Sequence, residues 1–291
     1  MTASAIYKSA EGGARIRDQY EALLDRWPVE AERRTVPTRL GETFVVVSGP
    51  ADGPPVLALQ GSGGNTAMWL PSIAGLAARL RVYAVDVPGE PGLSAVARPR
   101  LGSEAYAEWL DDVLDELGLP RATFLGASLG GWWSLDYAVR RPERVAGVAL
   151  LNPSGVGARN TALLLKFVLL RLFGERGLRK AMTLAAGELP KGPPTADEVA
   201  LVEFMLGTFK HYKPRMEPIP TFTDEQLRSL VMPVLAVLGA RDGMIDQRET
   251  AARLRAALPD ADVRLLEDAG HFLPGMVEAV VNFADTPRAT R

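Results

Sequence analysis

Short, continuous apolar runs alternate with stretches of helical periodicity along most of this chain, and that alternation limits its fold more than any other feature. The runs VLAL (56–59), VYAV (82–85), TFL (123–125) and VAGVALL (145–151) lack the polar alternation of half-exposed strands. Each therefore reads as a strand covered on both faces. Between them, residues 66–80, 104–117 and 129–140 repeat apolar side chains at helical spacing. Strand and helix in regular succession imply right-handed crossovers and a mostly parallel sheet flanked by helices on both faces. An earlier strand is expected at 43–47, closed by the turn-rich SGPADGPP segment. An N-terminal helix is expected from Ile16, Tyr20, Leu23 and Trp27, with Pro28 as its stop. Ser103 is expected to cap the helix over 104–117 and Gly118 to end it.

The alternation fails over 155–223, where helical patterns are broken at Pro193-Pro194 and around Pro214 to Pro220 and no good strand is found. This is the pattern of a helical lid inserted into one α/β domain spanning 1–291. The alternation resumes with a capping box from Thr223 to Gln226, strands at 234–238 and 263–266, a helix over 246–258 and a closing helix after Phe272. The longest apolar stretch, 161–173, is interrupted by Lys166 and Arg171 and is too short to span a bilayer, so a helix with one buried face is expected.

Hydrophobic residues make up 47% of the 291 residues, enough for a large core. The 33 basic residues nearly balance the 35 acidic ones and form no long like-charged run, which disfavours nucleic acid or an anionic membrane as partner and leaves a small molecule. The absence of cysteine excludes disulfides, thiolate metal sites and a cysteine nucleophile. Residues 1–14 lack the basic start and apolar core of a signal peptide, so a cytoplasmic location is expected.

Gly126-Ala-Ser128-Leu-Gly130 falls between a strand and a helix, the context of a nucleophile elbow. The sharp turn would lift the Ser128 hydroxyl off the sheet, and the glycines would remove side chains that collide with neighbouring strand and helix. A serine needs a base, and His211 and His271 are the two histidines. His211 sits in the suspected lid beside Lys210 and Lys213, whereas His271 follows the last strand, where open α/β sheets place ligands. The acid is expected between them in chain order. Asp242, after the 234–238 strand, fits better than Asp246, whose place before a helix suggests a cap. The position after the 145–151 strand holds Asn152, which offers no carboxylate. The glycine-rich loop Gln60-Gly-Ser-Gly-Gly64 supplies backbone donors for an oxyanion, with the amides of Ser62 and Leu129 the natural pair. It matches neither nucleotide-binding glycine pattern.

Together, residues 60–64, Asp86-Val-Pro-Gly89, 126–131, 239–242 and Gly270-His271 resemble the α/β-hydrolase superfamily over nearly the whole chain. Met68-Trp69, the 82–86 run, 223–228 and Asp268-Ala-Gly-His271 look more closely like bacterial carboxylesterases with a helical lid. The resemblance implies hydrolysis of carboxylic esters through an acyl-enzyme on Ser128, Asp242 and His271, with no metal or organic cofactor. Carbon-carbon, thioester and iminopeptide hydrolysis use the same triad, and a silent binding protein would keep the same fold. The lid residues Leu163 to Leu165, Phe167, Phe173, Phe204, Met205 and Phe209 suit an apolar acyl or aromatic group, or simply pack the lid onto the core, as Trp132 and Trp133 are expected to pack behind the elbow. Two departures stand out. Gln60 replaces the histidine common before the oxyanion loop, and the segment from Asp86 to Ser94 carries one residue more than the usual spacing.

Overall fold

The computed structural model describes residues 6–160, 166, 169–170, 172–186, 196–273 and 275–286. Strands β1 (Ala31–Val36), β2 (Thr43–Ser48), β3 (Pro55–Leu59), β4 (Arg81–Val85), β5 (Ala122–Ala127), β6 (Val145–Leu151), β7 (Val234–Gly239) and β8 (Asp262–Leu266) form one sheet in the order β1-β2-β4-β3-β5-β6-β7-β8. β1 and β2 run antiparallel to their neighbours, and every pairing from β4 to β8 is parallel. The mostly parallel sheet is thus the one expected.

Why the strands are continuously apolar is visible in where their side chains go. In β3, Leu57 and Leu59 enter one core while Val56 and Ala58 enter the other; in β6, Val148 and Leu150 oppose Ala149 and Leu151 in the same way. A strand with both faces covered has no polar side to show. One face is covered by α3 (Ala105–Glu116), α4 (Leu129–Arg140), α7 (Asp224–Arg228) and α8 (Gln247–Ala257), and the opposite face by α2 (Leu70–Ala77) and α9 (Met276–Asp285). A third cluster joins α1 (Ala10–Leu24) to α6 (Ala196–His211) over Phe44 and Val46 of β2. α5 (Gly174–Ala186) precedes α6.

Several boundaries differ from expectation, each for a local reason. β1, AERRTV, is mostly exposed, so its polar edge pattern carries no apolar run by which to recognise it. α1 starts under a Ser9 cap and ends at Leu24; Trp27 lies beyond it and donates its indole N–H to Ser48 Oγ (2.9 Å). Residues 66–69 form a tighter 3₁₀ turn capped by Asn65 before α2 begins. The Ser103 hydroxyl donates to the Arg100 carbonyl (2.7 Å) instead of capping α3, whereas Gly118 takes the positive φ (68°) that ends that helix. The Thr223 to Gln226 capping box is present in full.

Within 155–223 the described residues contain α5 and α6 and no strand, only isolated bridges of Tyr212 to Tyr7 and Arg159 to Ile245. Leu163 to Leu165 and Phe167 lie outside the described residues, as do Pro193 and Pro194. The buried face expected of 161–173 is not found on its described part, where Leu169, Leu172 and Phe173 are exposed and the chain turns at 172–173 into Gly174, at positive φ. Among the described residues, no helix is long and apolar enough to cross a membrane.

Candidate active site

β5 runs directly into Ser128, whose backbone adopts φ 52° and ψ −112°, and α4 begins at the next residue. A non-glycine residue in this region is strained by on the order of 1–3 kcal/mol and persists only where surroundings hold it. Here they do. Ser128 N donates to Leu151 O (2.9 Å), and Ser128 O accepts from Ser154 N (2.9 Å) and Gly131 N (3.1 Å). A Cβ on Gly126 would stand 2.4 Å from the Gly130 carbonyl oxygen, and one on Gly130 2.0 Å from that of Leu59, so both glycines are required by close approach. The Ser128 hydroxyl makes no hydrogen bond to any described residue, His271 included. Trp132 and Trp133 are buried, in keeping with a packing role.

Asp242 follows β7 and His271 follows β8, and the two side chains meet: His271 Nδ1 lies 2.8 Å from Asp242 Oδ2. The carboxylate is fully buried, the imidazole 16% exposed. Asp242 Oδ2 also accepts from Gln247 Nε2 (3.0 Å), and Oδ1 accepts from Met244 N (2.7 Å) and Ile245 N (3.3 Å). With Nδ1–H given to the carboxylate, Nε2 is left as the basic nitrogen. Asp246 accepts from Glu249 N (2.9 Å) at the head of α8, the capping role expected of the rival acid. His211 points elsewhere, against Gly12 of α1, where burial and the nearby cations Lys210, Arg15 and Lys8 lower its pKa.

Asn152, noted in the sequence only for lacking a carboxylate, has a role there that sequence reasoning missed. At the end of β6 it takes φ 46°, and its side chain crosses to both neighbouring loops. Nδ2 donates to Gly270 O (3.1 Å) and His271 O (2.9 Å), while Oδ1 accepts from Gly239 N (2.7 Å). One amide thus joins the loop of the acid to the loop of the base, one residue from the carbonyl that holds Ser128 N. Position after a strand was the available signal; partners 87 to 119 residues away were not.

The glycine loop passes over the nucleophile. A Cβ on Gly61 would lie 3.2 Å from Ser128 Cβ and 3.8 Å from its Oγ. Leu129 N, in the first position of α4, has no intrahelical acceptor. Ser62 N–H likewise has none among the described residues. Gln60 is wholly buried, and the amide orientation that satisfies its neighbours places Nε2 to donate to Val85 O (2.7 Å) and Oε1 to accept from Val87 N (3.1 Å), at the β4 terminus. The lengthened segment 86–94 forms the underside of this loop. Buried Asp86 accepts from Thr66 N (2.9 Å), Leu93 N (2.8 Å) and Tyr20 OH (3.0 Å), and Pro91 O accepts from Asn65 Nδ2 (2.8 Å). On the other side, Phe209 of α6 lies 3.5 Å from where a Gly63 Cβ would be. Phe204 is buried against Tyr20, their rings 6.2 Å apart, and Met205 packs on the same cluster.

Residues 56–285 match the family model described as the alpha/beta hydrolase family. Carboxylesterase YbfK of Bacillus subtilis (strain 168) is 32% identical to this chain over 273 residues, 93% of this chain and 92% of its own length. Among solved structures, naproxen esterase (carboxylesterase NP) from Bacillus subtilis superposes with a TM-score of 0.82 at 30% identity, covering 94% of this chain and 99% of its own. Carboxylesterase CesB (YbfK) superposes with a TM-score of 0.80 at 29% identity, covering 94% and 97%.

Proposed function

The chain belongs to the α/β hydrolase family, and we propose that it is a serine carboxylesterase working through Ser128, His271 and Asp242. The observations that carry this reading are the fully buried Asp242 carboxylate hydrogen-bonded at 2.8 Å to His271 Nδ1 and the strained backbone of Ser128 between β5 and α4. A buried carboxylate with four donors is costly to assemble for packing alone, and it selects the tautomer in which Nε2 is a base.

In this reading Ser128 Oγ attacks the ester carbonyl as His271 Nε2 takes its proton, an approach that commonly tightens only when substrate is bound. The Ser62 and Leu129 amides receive the oxyanion, each worth about 3 kcal/mol by the usual cost of losing such a donor. His271 then protonates the departing alcohol, and water, activated by the same nitrogen, hydrolyses the acyl-enzyme. The segment 155–223 acts as a lid, and Phe209 above the glycine loop favours an apolar acyl or aromatic group.

Hydrolysis of p-nitrophenyl acetate and butyrate tests the assignment. Ser128→Ala is expected to lower kcat by on the order of 10⁴-fold or more and to abolish labelling by a fluorophosphonate probe. Retained turnover in the folded variant removes Ser128 as nucleophile.

A further inference from the structure

Glu90, within the 86–94 segment, is 1% exposed, and its carboxylate lies at the junction of three elements. Oε2 accepts from Gly63 N (2.7 Å), in the glycine loop, and from the Tyr212 hydroxyl (2.7 Å), one residue beyond α6. Oε1 faces Arg215 Nε at 3.4 Å without a hydrogen bond to any described residue. Arg215 in turn donates to Glu217 Oε1 (2.6 Å) and Pro99 O (3.1 Å), and its second terminal nitrogen contacts the Tyr106 hydroxyl. Arg98 lies over the Tyr212 ring, 5.0 Å from its centre. Glu90 and Arg215 are thus a buried charge pair, with the partly exposed Glu217 and Arg98 at its edge, and a buried pair is one that apolar packing could replace at lower cost if stability were its only use.

The bonds of Glu90 bear on one turn. Gly64 N donates to Gly61 O (3.1 Å), which sets the peptide plane carrying the Ser62 N–H. Glu90 holds the next plane through Gly63 N, with Gly63 at φ 72°. Ser62 N–H is thus fixed on both sides. Its aim decides how well a developing oxyanion is met, because such donors act through prior alignment.

We propose that Glu90 is a positioning residue for the oxyanion hole, and that through Tyr212 it makes the aim of the Ser62 amide depend on how α6 is seated over the site. This rests on the assignment of Ser62 and Leu129 as oxyanion donors. A closed α6 and an aligned hole are then one state, joined by a single carboxylate oxygen.

Wild-type enzyme, Glu90→Gln and Tyr212→Phe are compared on p-nitrophenyl acetate and on its thionoester, in which sulfur replaces the carbonyl oxygen and weakens the demand for oxyanion donors. Glu90→Gln is expected to lose about tenfold or more in kcat, a fraction of the 10²–10³-fold loss of a whole donor, with KM within about twofold. Its preference for oxygen over sulfur should fall by a similar factor. Tyr212→Phe keeps the Gly63 bond and should move both readouts the same way by about threefold. A folded Glu90→Gln protein with an unchanged oxygen-to-sulfur ratio overturns the proposal, even if both rates fall together. Should Glu90→Gln fail to fold, Tyr212→Phe decides: a lowered ratio supports the proposal and an unchanged one overturns it. Failure of the triad assignment is seen separately, as turnover by Ser128→Ala.

Discussion

Replacing Asn152 by alanine removes three hydrogen bonds at once, and their geometry sets the size of the effect. Gly239 N–H, donated to Asn152 Oδ1 at 2.7 Å inside the protein, loses an acceptor, at a cost of about 1–3 kcal/mol. The carbonyls of Gly270 and His271 lose donors, for about 1 kcal/mol between them where water can replace one. Alanine at φ 46° adds a fraction of the roughly 1–2 kcal/mol left-handed penalty, which asparagine tolerates better. Stability should fall by about 3–4 kcal/mol, which for a chain of 291 residues lowers Tm by about 5 °C. Asn152→Gly relieves the backbone but not the lost bonds and should sit between alanine and wild type. Because the amide joins the loops of Asp242 and His271, kcat should fall at least tenfold with little change in KM. Differential scanning calorimetry and ester hydrolysis measure both. An Asn152→Ala protein that melts within a degree of wild type at full kcat refutes the reasoning.

Two further outcomes are expected. Asp242→Asn should lower kcat by about 10³–10⁴-fold by favouring the wrong tautomer, whereas Asp246→Ala should cost about 1 kcal/mol as a lost cap and leave kcat intact; reversed effects in the same assays would exchange the two roles. Asp112, 21% exposed, is held below the usual carboxylate range chiefly by its hydrogen bond from Arg39, so its stabilisation is complete above that range and is lost as pH falls through the lowered value. Asp112→Asn should therefore unfold at lower urea than wild type near pH 7, by about 0.5–1 kcal/mol, and the gap should close in acid; a gap constant with pH contradicts this.

What could be read from the chain was what is local. Ser128 is recognisable because strand, tight glycines and helix fall within a dozen residues, and the covered strands announce themselves because both of their faces need apolar side chains. Asp242 was separable from Asp246 by distance from the following helix. β1 escaped because an edge strand has one partner and needs no apolar run. Asn152, Gln247 and Glu90 escaped for a different reason: each is an ordinary polar residue until the fold brings Gly270, Asp242 or Gly63 against it. The departure in spacing over 86–94 was visible, but that Glu90 within it would turn inward was not.

The sheet's two rims have their own consequence. β1 presents Glu32 and Arg34, paired to each other, and β8 presents Asp262 and Arg264, likewise paired, so both outermost strands end the ladder in charge. A second molecule adding a strand at either flank would have to strip water from these ions without gaining apolar contact. The Val- and Leu-rich inner strands are thereby fenced off from other copies by a charged strand at each flank.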